Sequence, residues 1–164
     1  MLRIIAIATL IATPLFADSA KRIERELVVS APPPEVWRAW TTTEGIKSFF
    51  APDAKVELTR GGAYEMYFDP SQPPGFRGGE TNRVIDFDPE RMLLFSWNAP
   101  PRFGPLRAEH TWVLIRFDDA PGGGTCLHFT HFGWRGGEQW DALYDYFDKA
   151  WTGVLGNFRN RYDR

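Results

Sequence analysis

The fold is decided by the stretch that closes the chain, residues 138–162, which reads EQWDALYDYFDKAWTGVLGNFRNRY. Its large apolar side chains recur at steps of three and four residues, which is the period of one face of an α-helix. The repeating positions are Trp140, Leu143, Tyr144, Phe147, Trp151, Val154, Leu155, Phe158 and Tyr162. A helix with such a broad aromatic stripe needs a wide concave partner, and a curved β-sheet provides one.

Two glycines, Gly153 and Gly156, interrupt this helical segment. Each costs about 1 kcal/mol relative to alanine inside a helix. We therefore expect a close backbone approach or a local bend at these positions.

The middle of the chain predicts short strands separated by turns rich in glycine and proline, as in an antiparallel meander. The predicted strands are Lys55–Leu58, Ala63–Phe68, Glu80–Phe87, Met92–Trp97, Glu109–Phe117 and Thr125–Phe132. Before them, Ile23–Ser30 predicts a first strand. The prolines at 32–34 predict the start of a short helix, and a second short helix is predicted over Gly45–Phe50, with Phe49 and Phe50 turned inward. The fold class is therefore α+β: a curved antiparallel sheet of about seven strands wrapped around a long C-terminal helix, with two short helices after the first strand.

The first 17 residues have the pattern of a cleavable signal peptide. A short basic start precedes an apolar run from Ile4 to Phe16, and the small residue Ala17 follows it. The run is shorter than the ~20 apolar residues that span a bilayer, so we expect no stable membrane insertion after cleavage. We predict cleavage after Ala17, a secreted or periplasmic location and one domain over residues 18–164. The alternative is that the run forms an apolar first strand or helix.

Composition narrows the choice of partners. The net charge of −2 argues against nucleic-acid binding, which needs a basic surface. The single cysteine, Cys126, lies in a strand-like run and is predicted to be a small buried filler. The chain also holds 7 Trp, 5 Tyr and 13 Phe, more large rings than a domain of this size needs for packing.

Four motifs, taken in this order, resemble the START-like helix-grip (SRPBCC) superfamily. More specifically, they resemble its branch named after the activator of heat-shock protein 90 ATPase. The motifs are VWRAWTT at 36–42, FFAP at 49–52, RGGAY at 60–64 and GGTCLHFTH at 123–131. The resemblance implies a cavity between sheet and helix that holds an apolar or amphipathic ligand. It implies less about activity, because the fold hosts lipid carriers, hormone receptors, polyketide cyclases and chaperone regulators. The chaperone partner of that branch is cytosolic, and the predicted export argues against such a partner here.

Strand parity and helical period select the residues expected to bind the ligand, because side chains two apart on a strand share a face. The sheet side is predicted to consist of Tyr64, Met66, Phe68, Phe95, Trp97 and Phe129, and the helix side of Trp140, Tyr144, Phe147 and Trp151. Arg107 and His131 are the expected polar anchors. The alternative is that the same rings are ordinary stabilising core.

Three connections are expected to meet at one end of the sheet, because successive turns of a meander alternate between its two ends. They span 69–79, 98–108 and 133–137. We predict that this end is the cavity mouth, formed by Phe76, Arg77, Arg102, Phe103, Trp134 and Arg135. Its arginines could receive the carboxylate or phosphate head of an amphipathic ligand. Alternatively, they are solvated or pair with Asp69, Glu80 and Glu109.

His131 is the one polar candidate predicted on the inward face. It could donate a hydrogen bond to a ligand or act as an acid or base. The alternative is a core histidine bonded to a backbone carbonyl. His128 has the opposite parity, so the two imidazoles cannot share a metal, and we predict no metal site. Glycine motifs for nucleotides are missing from the sequence, and we assign no cofactor and no catalytic residue.

The leading hypothesis is an exported single-domain protein that binds a hydrophobic or amphipathic small molecule. A cyclase- or aromatase-like enzyme using the same cavity is one alternative, with His131 as its catalytic candidate. A protein-interaction module that resembles the chaperone regulators is the other.

Overall fold

The computed structural model describes residues 21–163, so the predicted signal peptide lies outside the described residues. The elements follow the chain as β1 (Ile23–Val29), α1 (Pro33–Thr41), α2 (Thr43–Lys47), β2 (Asp53–Val56), β3 (Tyr64–Tyr67), β4 (Gly78–Gly79), β5 (Val84–Asp88), β6 (Met92–Asn98), a 3-10 helical segment (Pro101–Ala108), β7 (His110–Asp119), β8 (Thr125–Phe132) and α3 (Glu138–Asn160). Within residues 21–163, no helix is both long and apolar enough to cross a membrane.

The strands form a five-stranded antiparallel sheet, β1-β8-β7-β6-β5, and a three-stranded antiparallel sheet, β2-β3-β4. An isolated bridge between Ala63 and Arg83 connects the two sheets. Inward-facing side chains alternate with outward-facing ones along β8, as the sequence pattern predicts. The α+β class, the curved antiparallel sheet and the long closing helix are confirmed.

The aromatic stripe of the closing segment is the buried face of α3. Its buried residues are Trp140, Leu143, Phe147, Trp151, Leu155 and Phe158. Near the end of the helix, Phe158 packs on Trp40 of α1 and on Phe49, with ring centroids 5.4 and 4.9 Å apart. Helix α1 and the turn that follows α2 therefore pack against the C-terminal half of α3, with Phe49 and Phe50 buried as expected.

The prediction of one strand over Glu80–Phe87 is wrong in detail. Thr81 adopts φ +70°, a left-handed conformation that interrupts an extended run. The side-chain amide of Asn82 then donates to the carbonyl oxygen of Gly79 and to Oδ1 of Asn98, at 3.0 and 3.3 Å. Local side-chain bonds thus replace strand pairing here, and β4 and β5 belong to different sheets.

The two glycines of α3 do not make the close backbone approach that was one of the two explanations expected for them. Apart from the chain neighbours and the backbone of α3 itself, no heavy atom of the described residues lies within 4 Å of a Cβ built at Gly153 or Gly156. The helix is continuous from Glu138 to Asn160. Close backbone approach therefore does not account for either glycine.

Candidate ligand-binding cavity

A cavity of about 280 Å³ opens between the middle of α3, the loop 68–79 and the end of β6. Aromatic rings make up much of its wall, namely Phe50, Phe68, Phe76, Trp97, Tyr146, Phe147 and Trp151. The other lining residues are Asp69, Arg77, Gly78, Gly79, Asn98, Pro100, Pro101, Ala150 and Val154. Such a predominantly apolar wall with a few polar groups is typical of small-molecule sites.

Trp97 is the central ring of the wall. Its ring centroid lies 5.6 Å from that of Phe50 and 5.4 Å from that of Trp151, so the sheet and α3 meet through it. A Cβ at Gly79 would lie 3.2 Å from the Trp97 ring, so a larger residue there would displace the indole. Among the described residues, the buried indole N–H of Trp97 has no hydrogen-bond partner.

The rim of the cavity is exposed and carries both signs of charge. Phe68 and Phe76 are 46% and 60% exposed, which is unusual for phenylalanine. Hydrogen bonds from Ser71 and Gln72 lower the pKa of Asp69, so its carboxylate is ionised at neutral pH. A ligand entering here would pass apolar rings and a fixed negative charge.

Arg77, also at the rim, is positioned by its own loop. Its Nε donates to the Gln72 carbonyl oxygen at 3.1 Å, and its guanidinium lies 5.9 Å from the centre of the Tyr67 ring. The structure therefore brings Phe76 and Arg77, both predicted at the mouth, to the rim of the cavity.

The deeper residues predicted on the sheet side form packed core. Tyr64, Met66, Phe95 and Phe129 are almost fully buried, and none of them lines the cavity. The Tyr64 hydroxyl donates to the Trp40 carbonyl oxygen at 2.7 Å, and burial raises the pKa of this phenol. For these four residues the structure matches the alternative of ordinary core, whereas Phe68 and Trp97 do line the cavity.

Arg107 does not line the cavity; its guanidinium is bonded to residues that position the rim. One of its nitrogens donates to the Ala99 carbonyl oxygen at 2.7 Å, and another contacts the Glu80 carboxylate at 3.3 Å. The same carboxylate accepts backbone N–H bonds from Gly75 and Arg77 at 2.7 and 2.9 Å. Burial lowers the pKa of Arg107. The Glu80–Arg107 pair thus connects the loop 68–79, called the rim loop below, to the 3-10 helical segment. Because Arg107 is bonded to Ala99 and Glu80, it is not positioned as the polar anchor that the sequence predicted.

His131 is enclosed by protein groups and does not line the cavity. The Trp151 indole N–H donates to His131 Nδ1 at 2.8 Å, and Thr111 Oγ1 lies 2.7 Å from Nε2. Because the Thr111 hydroxyl donates to the Trp97 carbonyl oxygen, its oxygen accepts the Nε2 proton of a neutral imidazole. Burial lowers the pKa of His131 to about 3. His131 therefore connects β7 to α3 through hydrogen bonds with the side chains of Thr111 and Trp151. A bond to a backbone carbonyl was the alternative considered from the sequence.

The remaining mouth residues lie beside the cavity. Arg102 stacks over Tyr146 at 4.2 Å, and Phe103 packs on the same ring at 5.6 Å, so both support a lining residue from behind. Arg135 pairs with Glu109 at 2.6 Å, on the solvent-exposed surface.

Trp134, Tyr144 and Trp140 also lie outside the cavity. Trp134 packs on His131 and on Tyr144, with centroids 4.3 and 5.2 Å apart. Trp140 is buried beneath Arg135, whose guanidinium lies 5.6 Å from its ring. Of the helix residues predicted for the site, Phe147 and Trp151 do line the cavity.

The helix wall of the cavity includes residues that were not predicted as site residues. Tyr146, Ala150 and Val154 recur every four residues and form a second stripe beside that of Phe147 and Trp151. Their spacing was visible in the sequence, but Ala150 is too small to mark an apolar face. Phe50 was expected to be buried, yet its ring borders the cavity.

A curved antiparallel sheet holding a long C-terminal helix, with an apolar cavity between them, defines a START-like helix-grip domain. Its fold is consistent with a small-molecule-binding domain. A sequence profile of the family described as "Activator of Hsp90 ATPase homolog 1-like protein" matches residues 30–162. The chain belongs to this family. No curated protein sequence matches the chain significantly.

Solved structures share the fold at low sequence identity. Protein MLL2253 from Mesorhizobium loti is 18% identical with a TM-score of 0.68, over 85% of this chain and 95% of that one. The Aha1 dimer from Colwellia psychrerythraea is 17% identical with a TM-score of 0.67, over 87% and 96% of the two chains. CalU16 from Micromonospora echinospora is 23% identical with a TM-score of 0.61, over 85% and 74%. At these identities the similarity establishes the fold.

Proposed function

We propose that the chain binds a small apolar or amphipathic molecule in the cavity beside Trp97. The observation that carries this proposal is the aromatic cavity of about 280 Å³ with exposed phenylalanines at its rim. Exposed apolar side chains that cluster at a concave site, unlike singly scattered ones, mark ligand-binding grooves or interaction sites. Membership of a family with the helix-grip fold supports the same conclusion.

The cavity restricts the size and polarity of this ligand. Its volume lies just below the range of about 300–1,000 Å³ that holds drug-sized molecules, so a compact one- or two-ring body fits better than a long lipid. Aromatic walls favour a flat apolar body that stacks on Trp97 or Trp151. A polar head on the ligand would remain at the rim near Arg77.

Filling the cavity from α3 should abolish binding without removing any core side chain. Ala150 lines the cavity, and a phenylalanine at this position would project into it. Titration with naphthoic acid, followed by tryptophan emission, should show binding by the parent protein. The Ala150→Phe variant should bind at least roughly tenfold more weakly, a loss of about 1.4 kcal/mol.

Ala142, an exposed alanine on the same helix, provides the matched control. Ala142→Phe adds the same ring outside the cavity and should leave the affinity unchanged. If naphthoic acid, decanoic acid and related apolar compounds leave the tryptophan emission unchanged, the proposal fails. Equal loss of binding in the two variants would place the ligand elsewhere.

The other functions considered have less support from the described residues. The catalytic candidate for a cyclase- or aromatase-like reaction was His131, but both of its ring nitrogens are bonded inside the protein and it does not line the cavity. The solved structure of DynU16, a protein from the dynemicin biosynthetic locus, shares this fold. A biosynthetic intermediate is therefore one class of ligand to test in the cavity. A chaperone-regulator-like module would require a protein partner in the compartment where the chain resides.

We also propose export, from the signal-peptide pattern of residues 1–17. The tagged full-length chain, expressed in a bacterial host, should be recovered outside the cytosol. Its measured mass should be that of a chain starting at Asp18. Leu10→Arg interrupts the apolar run and should retain the uncleaved chain in the cytosol. Recovery of the parent chain in the cytosol with Met1 still present would refute export and revive the chaperone alternative.

A further inference from the structure

The outer face of the five-stranded sheet carries a cluster of sulfur, nitrogen and oxygen donors. Cys126 and His128 lie two residues apart on β8, on the face opposite to the buried one. Glu26 of β1 is paired in register with His128, and Asp118 of β7 with Cys126. Three adjacent strands thus bring four potential metal ligands to one patch.

The donor atoms have nearly the separations that a metal would require. Cys126 Sγ lies 3.5 Å and Asp118 Oδ2 lies 3.2 Å from His128 Nε2. Zinc–ligand bonds of about 2.0–2.3 Å at tetrahedral angles place nitrogen about 3.5 Å from sulfur and about 3.3 Å from oxygen. The donor atoms of Glu26, Cys126 and His128 also lie within 4.8 Å of one another. The Glu26 carboxylate now lies 3.5 Å from the other ring nitrogen of His128, Nδ1. Its side chain is exposed, so a rotation would bring it to the Nε2 side and complete a four-ligand set.

The charges and donor types at this patch suit zinc. Burial and the neighbouring carboxylates raise the pKa of the Cys126 thiol, so zinc binding would release its proton. The resulting thiolate and two carboxylates carry three negative charges, which Zn²⁺ balances together with Arg116, the register partner of His128 on β7. Thiolate and imidazole ligands favour zinc over magnesium or calcium, which prefer oxygen ligands alone. A bound ion would also join β1, at the edge of the sheet, to the two strands beside it.

We propose that Glu26, Asp118, Cys126 and His128 form a zinc(II) site on the outer face of the sheet. The parity rule predicted no metal because His128 and His131 point to opposite faces, and the structure does keep them apart. The additional ligands come from β1 and β7, which are far from His128 in sequence. None of the four residues lines the cavity, so this site is independent of the proposed ligand binding.

The test uses the purified chain, reduced, stripped of metal with a chelator and dialysed. Calorimetric titration with zinc chloride should give one bound ion per chain, and zinc should raise the thermal unfolding midpoint. Cobalt(II) in place of zinc should give thiolate-to-cobalt charge-transfer absorption. Cys126→Ser should abolish that absorption and weaken zinc binding more than tenfold, because loss of even an outer-shell partner costs ~10–100-fold in affinity.

His128→Gln should weaken zinc binding as strongly as Cys126→Ser, and Asp118→Asn should weaken it further in combination with either. His110→Gln changes a histidine outside the cluster and should retain full affinity. Circular dichroism in chelator confirms that each variant is folded before zinc is added. Failure of the parent chain to bind zinc, or unchanged zinc affinity in Cys126→Ser and His128→Gln, would overturn the proposal. Either result leaves the cavity experiment with naphthoic acid unaffected.

Discussion

Glu80→Ala is expected to lower the free energy of unfolding by about 3–5 kcal/mol, because it leaves a partly buried arginine without its counter-charge and two backbone N–H groups without their acceptor. Glu80 is 7% exposed, and its carboxylate accepts bonds from Arg107 and from the backbone N–H groups of Gly75 and Arg77. Alanine removes all three acceptor contacts at once. Chemical denaturation, followed by tryptophan emission, measures the loss.

A solvent-exposed ion pair at the same end of the sheet gives the matched control. Glu109 and Arg135 lie 2.6 Å apart, with side chains 42% and 58% exposed. Glu109→Ala should therefore cost less than about 1 kcal/mol. In a double-mutant cycle, Glu80→Ala with Arg107→Met should cost less than the sum of the two single changes, since neither charge then remains unpaired. Equal losses for Glu80→Ala and Glu109→Ala would show that the buried pair does not hold the rim loop.

Loosening the rim loop should also affect the cavity. Phe76 and Arg77 lie on the loop that Glu80 holds, and both contribute to the cavity wall. A variant with this loop released should bind naphthoic acid more weakly at a temperature where the domain is still folded. This links the stability of the buried pair to the proposed function.

The large-scale fold could be predicted because its signals are periodic and local. The stripe from Trp140 to Phe158 specifies both a helix and its buried face, and the alternation from Leu127 to His131 specifies a strand and its inner face. The strand 80–87 was mispredicted because its interruption depends on a hydrogen bond between Asn82, which lies between β4 and β5, and Asn98 at the end of β6. The pattern of polar and apolar residues within one segment gives no information about a hydrogen bond to another segment.

The cavity was predicted less well than the fold, for a related reason. Parity correctly identified inward-facing residues such as Tyr64 and Phe95, but whether an inward space is filled depends on packing between elements. Likewise, the sequence left open whether the arginines at this end bind a ligand or pair with carboxylates such as Glu80, and the structure shows Arg107 paired with Glu80. The rim phenylalanine Phe76 was predictable because a large ring in a proline- and glycine-rich loop has little local packing to satisfy it.

Acid should destabilise the domain through His131. Its pKa is lowered to about 3 by burial in the folded state, whereas an unfolded histidine titrates near 6.5. Below about pH 6.5 the unfolded chain therefore binds a proton that the folded chain cannot accept. This contribution to stability is complete above pH 6.5 and is lost as the pH falls toward 3. Between pH 7 and pH 5 the loss from this one group should be about 2 kcal/mol.

His131→Gln separates this titration from the contacts that His131 makes. The glutamine amide can accept the Trp151 N–H and donate to Thr111 Oγ1, yet it does not titrate. We expect this variant to be less stable than the parent at pH 7 and to lose about 2 kcal/mol less between pH 7 and pH 5, in denaturation curves measured with chelator present. If His131→Gln keeps the parental pH dependence, the imidazole must be able to protonate inside the folded domain. The neutral link from Thr111 through His131 to Trp151 would then be wrong.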